Sequence, residues 1–298
     1  MDVLKQAFSF KEPEQTTEKI SAKPGTLNYY IEKVQLQTDN PHSPQFLAAI
    51  NNFTNFVVMK YKVYKEMNEE SFFLNELFTL VSINNNENNL TAYLSLVAAL
   101  TTIDLGDKVA KASRIARDII NIPPDPNEHT FELLRKILLS VSHVLGTSSQ
   151  LIFQPLLKNI WQWVKKGEYF AGYRLFLLLY ELFPHLMVSY HSNMQIIIGY
   201  SLQLQSPEIR QIVQRILKIA FQSQDPDKPL DMTIFITKIM AQLTSILWRY
   251  FEGSIQCAEI IIKHNPKLTE KFKFKELKLN YLTSKENEAK IANLLLIP

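Results

Sequence analysis

Apolar residues return at every third or fourth position along most of this chain. The stretch 206–221 shows the pattern whole. Ile209, Ile212, Val213, Ile216, Leu217 and Ala220 share one helical face, while Arg210, Gln211, Gln214, Arg215 and Lys218 take the other. Its start is marked as well: Ser206 offers a side-chain oxygen to free amides, and Pro207 fits the first helical position, where its missing N–H costs nothing. Ser43-Pro44 repeats this signal ahead of a long stripe through Phe46, Ala49, Ile50, Phe53, Phe56, Val57, Tyr61 and Tyr64.

Further stripes predict helices on both sides. Leu27, Tyr30, Ile31 and Val34 form the first, and Phe73, Leu74, Leu77 and Val81 form another that the asparagine cluster 84–89 ends as a solvated loop. Helices are then expected over 90–103, 107–120, 131–145, 150–166, 168–183, 186–204 and 232–251, with shorter ones from Ser254, Pro266 and Ser284. Residues 121–130 hold Pro123, Pro124 and Pro126 and make the sharpest break, either a sub-boundary or a long loop. Residues 1–25 mix charges, prolines and small polar groups with little to bury, and are expected to be a flexible tail. Residues 26–298 are expected to form a single domain. Its connections are mostly short, so successive helices fold back on one another, and a long succession without return favours stacking over a bundle.

Composition narrows the classes. Seven glycines in 298 residues are too few for turn-rich β folds, and exclude Rossmann-type and phosphate-loop readings. Gly146, Gly167 and Gly253 each follow an apolar run and are expected to close helices. No apolar run approaches the roughly 20 residues a bilayer requires, so no membrane insertion is expected. The N-terminus carries no apolar leader, and the one cysteine, Cys257, cannot form an internal disulfide, which points to the cytoplasm or nucleus. The net charge of +3 is uneven: Lys263, Lys267, Lys271, Lys273, Lys275 and Lys278 face only Glu270 and Glu276 within 263–278.

Ile152-Phe-Gln-Pro155-Leu-Leu-Lys-Asn-Ile-Trp161, followed by Phe170-Ala-Gly-Tyr-Arg174-Leu-Phe-Leu-Leu-Leu, resembles a HEAT repeat. The shared features are a first helix carrying a proline, a short polar turn, and a second helix with an early arginine. The Ser206 helix resembles another second helix, with Arg210 standing 36 residues after Arg174. The likeness is best over 151–221. Counting helices from 107–120 puts that segment and the Ser206 helix in opposite slots of a two-helix alternation. Either one repeat has three helices, as in armadillo-type proteins, or the Pro123 region interrupts the stack. The resemblance implies an all-α, right-handed α-α superhelix of roughly 11–14 helices that serves as an interaction scaffold.

Chemistry is sparse. Cys257 and His264 lie about 10 Å apart along a helix, too far for the roughly 3 Å hydrogen bond that activates a nucleophile. His185 and His191 do not share a helix face, and Asp104 and Asp107 around Gly106 lack the remainder of a cation loop. No catalytic residue, metal site or cofactor is expected. Trp161 and Trp248 are assigned to packing and Trp163 to the surface.

The leading expectation is a non-catalytic scaffold, a subunit of a larger complex, that binds protein along a concave helical face. Arg174, Arg210, Gln214 and Lys218 are its contact candidates. The alternative is a nucleic-acid-associated factor using Lys271, Lys273 and Lys275 interleaved with Phe272 and Phe274. A nuclear transport-type receptor is a narrower variant, disfavoured because the chain is not acidic.

Overall fold

The computed structural model describes residues 20–103, 108–120, 122–227, 229–244, 251–273 and 289. Its α-helices with described bounds are α1 (Leu27–Gln35), α2 (Pro44–Glu66), α3 (Glu70–Asn84), α4 (Leu90–Thr102), α5 (Lys108–Ile120), α6 (Glu128–Ser140), α7 (Ser142–Lys166), α8 (Tyr169–Leu182), α9 (Pro184–Val188), α10 (His191–Ser201), α11 (Pro207–Gln222), α12 (Thr233–Leu243) and α13 (Phe251–His264). Among the described residues 3-10 turns also occur at Glu87–Asn89 and Pro266–Phe272, and no strand does.

The expected start signals act as caps. Ser43 Oγ accepts from the Phe46 amide at 3.1 Å and Ser206 Oγ from the Ile209 amide at 3.3 Å, with Pro44 and Pro207 opening α2 and α11. Asn86 Oδ1 accepts from the Asn89 amide at 3.1 Å, so the asparagine cluster builds a turn. Ser21 and Ala22, inside the expected tail, donate backbone amides to Glu32 of α1 at 2.7 and 3.1 Å. The remainder of that tail, residues 1–19, lies outside the described residues.

Several boundaries differ from the periodic reading. Only Gly167 closes a helix with left-handed backbone, at φ 94°; Gly146 and Gly253 lie inside α7 and α13. The break expected near Gly146 falls at Val141, a fully buried residue at φ −104°, ψ 2° between α6 and α7. One expected helix, 186–204, is two: a turn at Ser189 and Tyr190, whose amides reach the Leu186 and Met187 carbonyls, separates α9 from α10. Of the expected helix 232–251, α12 accounts for the first half, and α13 begins where that span ends.

Packing follows chain order in two rows. In one, α4 packs on α2 and α6, α6 on α8, α8 on α11 and α11 on α13. In the other, α5 packs on α7, α7 on α10 and α10 on α12, which meets the Pro266–Phe272 turn. Both rows continue across the proline-rich segment, because α4 reaches α6 and α5 reaches α7. Two helices are covered on nearly every side. Leu90 and all of 92–101 are buried in α4, and Ala171 to Tyr180 are buried in α8 except Arg174. A helix apolar all round must have neighbours all round. Their buried tyrosines still need partners: Tyr93 donates to the Asp118 carbonyl at 2.9 Å and Tyr173 to the Ile197 carbonyl at 2.8 Å, tying α4 to α5 and α8 to α10.

Candidate functional site

The polar sides of α6, α8, α11 and α13 meet in a band of opposite charges and amides. Glu128 and Glu132 stand one turn apart on α6 and, with Arg135, share a face. Arg174 of α8 donates to Glu128 and lies over the Phe131 ring at 5.3 Å from its centroid. Arg135 bridges Glu132 at 3.4 Å and Glu181 of α8 at 3.1 Å; Arg215 of α11 reaches the other Glu181 oxygen at 2.8 Å. Gln214 then donates to Gln256 of α13 at 2.8 Å. Apart from Arg135–Glu132, which lies within α6, each pair joins one helix of the row to the next.

His42, just ahead of α2, closes the near end. Its Nε2 lies 3.4 Å from Glu128 and its Nδ1 3.6 Å from Glu132. Among the described residues this is a group with metal-ligand potential, its donor atoms within 4.8 Å of one another, and the sequence reading did not single out His42. The carboxylate oxygens facing the imidazole are the same ones that Arg174 and Arg135 engage. Guanidinium groups already engage both oxygens, so the charge pairs clamp α6 to α8, with the His42 ring set against the same two carboxylates.

The sequence-predicted contact residues therefore have different surroundings. Arg174 and Gln214 are turned onto neighbouring helices. Arg210 donates to the Gln205 carbonyl at 3.4 Å, and its stem covers Gly253 of α13. Lys218 is exposed on α11. The basic candidates sit apart from these, beside α12: Lys271 donates to Thr233 at 2.8 Å and lies 3.4 Å from Asp231. Exposed Lys273 ends the 3-10 turn at φ 44°, and Phe272 is fully buried. Lys275 and Phe274 lie outside the described residues, as do Asp104, Asp107 and Trp248.

A groove of about 390 Å³ between α7 and α10 brings together Gln154, Lys158, Trp161, Tyr190, Asn193 and Ile196. Trp161 is half-buried there, meeting Tyr200 edge-on at 6.1 Å, with Lys165 Nζ 4.9 Å from its ring centre. The packing role expected of Trp161 holds in part, since it is half-buried against the core, whereas Trp163, expected at the surface, is buried. Ile152, Phe153, Leu156, Leu157, Ile160 and Val164 of α7 are buried because the helix packs on both α5 and α8. At about 100° per residue these positions span an arc of about 140°; Trp163 falls inside it and Trp161 about 40° beyond its edge.

Nothing in the described residues activates Cys257. It is fully enclosed, and burial pushes its thiol up to about 12. His264 instead stacks on Phe221 at 5.7 Å. His185 Nδ1 lies 3.1 Å from the Ser223 carbonyl, a tie between α9 and the end of α11. No described helix is long and apolar enough to cross a membrane. No protein-family model matches the chain, and no curated protein or solved structure matches it.

Proposed function

We propose that this chain is a non-catalytic helical-repeat scaffold that binds a protein partner, as a subunit of a larger assembly. The right-handed superhelix implied by the HEAT and armadillo resemblance belongs to this proposal. The observation that carries it is the α7/α10 groove, where Trp161, Tyr190 and Ile196 offer apolar surface flanked by the amides of Gln154 and Asn193. Trp and Tyr supply large contact area at small entropic cost and dominate binding hot spots. The polar band on α6, α8 and α11 supports the reading differently: its charges are largely engaged between helices, which stiffens a surface without assigning it chemistry.

The test is a photo-crosslinking side chain placed at position 196 in the source cell, followed by identification of the joined polypeptide. One protein should predominate. Its affinity for the purified chain should fall at least tenfold on Trp161→Ala, with the helical dichroism unchanged. Crosslinks to many proteins in similar yield, or affinity indifferent to Trp161, would overturn the scaffold reading at this groove. The alternative of nucleic-acid binding through Lys271 and Lys273 has less support, because Lys271 already serves Asp231 and Thr233.

A further inference from the structure

A second groove, of about 420 Å³, lies between α2 and α6, away from Trp161. Its apolar wall is Leu47, Ile50 and Leu139, and two of these are unusually open for leucine, Leu47 at 41% and Leu139 at 51% exposure. Its polar groups are Asn51, Glu132, Arg135, Lys136 and Ser140. The charges do not cancel. Glu132 is held by Arg135 at 3.4 Å and faces His42 at 3.6 Å, while Arg135 is further tied to Glu181 at 3.1 Å. Lys136 remains, half-buried, with its ammonium on a neutral acceptor, Asn51 Oδ1, at 2.7 Å. Burial holds its pKa below the ordinary lysine value, and among the described residues no carboxylate opposes that effect.

A partly desolvated cation beside exposed leucines is complementary to a carboxylate attached to an aliphatic group. We propose that the α2/α6 groove binds a partner segment in which an aspartate or glutamate adjoins a large aliphatic residue. The carboxylate meets Lys136, with the Asn51 amide and the Ser140 hydroxyl as further donors. The aliphatic side chain covers Leu47, Ile50 and Leu139. An amide whose oxygen faces Lys136 directs its Nδ2 away from it, so Asn51 can serve both the lysine and the incoming acid. The groove opens to solvent along its leucines and suits one or two side chains of a passing peptide. The proposal stands apart from the reading of the α7/α10 groove.

The test is selection of random dodecapeptides displayed on phage against the full chain. Enriched peptides should carry Asp or Glu beside Leu, Ile or Met, and should bind Lys136→Gln roughly ten- to hundred-fold more weakly, the range for loss of a charge-assisted hydrogen bond. Lys136→Arg should retain most of the affinity, Leu139→Ser should lose it, and Trp161→Ala should leave it unchanged. Helical dichroism of each variant guards against misfolding. Failure to obtain any peptide sensitive to Lys136, or peptides without an acidic preference, overturns the proposal. Displacement of the peptides by free dodecanoate at comparable affinity overturns the choice of a peptide and assigns the groove to a small aliphatic acid.

Discussion

Replacing Gly172 and Gly199 by alanine, one at a time, separates two kinds of close approach that look alike in sequence. Both glycines are helical, in α8 and α10, and each substitution gains about 1 kcal/mol in helix propensity. At Gly172 the new Cβ would stand 2.8 Å from Val164 Cγ2 and 3.3 Å from the Ile160 carbonyl oxygen. Val164 is fully buried and Ile160 presents backbone, so α8 itself must move off α7. Overpacking of this type costs about 1–3 kcal/mol, leaving a net loss of about 0–2 kcal/mol. At Gly199 the Cβ would stand 2.5 Å from Lys238 Cδ and 2.8 Å from its Nζ, the far end of a half-buried chain that can swing aside. That restriction costs no more than about 1 kcal/mol, so the net effect is near zero or stabilising. Urea unfolding followed by far-UV dichroism should therefore place the G172A midpoint below the parent and below G199A, at unchanged slope. A G172A midpoint above that of G199A would refute the close α7/α8 packing.

Two further predictions concern titratable groups. Cys257, enclosed and with its thiol held at about 12, should resist a disulfide reagent at pH 8 over the time in which the urea-unfolded chain reacts completely; rapid native labelling would contradict its burial. Burial holds both His129 and His264 below the ordinary imidazole value of 6.5, with Lys263 and Lys218 adding to the effect at His264. The unfolded chain then takes up these protons first, so stability is complete above about pH 6.5 and falls as pH drops through that value. Melting temperature measured from pH 7.5 to 5.5 should fall, and the double variant His129→Gln/His264→Gln should flatten the slope; an equal slope in both would remove the histidines as its cause.

How much of the fold is legible in the sequence depends on how many sides of a helix are covered. α11 shows its apolar stripe, its serine cap and its first-turn proline openly, because one face reaches solvent. Segments α4 and α8 have no such contrast. Their apolar runs announce burial, but periodicity cannot say which neighbours surround them. The break at Val141 was equally hidden, since a buried valine carries none of the turn chemistry that glycine or proline would display. Trp163 failed for a related reason: its helix packs on two others, and the inward arc is wider than a single stripe.

The candidate site was less legible than the fold because its defining pairs are remote in sequence. Arg174 meets Glu128, and Arg135 meets Glu181, each across 46 residues, which is the step from α6 to α8. A helical wheel reports that a side chain leaves the core; it cannot report that the next helix in the row receives it. Residues chosen as contacts because they are polar and outward therefore divide by what the neighbouring helix takes up. Arg174 and Gln214 contribute to cohesion between helices, so their substitution should disturb the stack and any bound partner together. Trp161 and Lys136 have the opposite character, one aromatic beyond the buried arc and one ammonium held by the neutral Asn51 amide. Substitution at these two sites should separate binding from folding, and that separation distinguishes a surface used by a partner from one used by the protein itself.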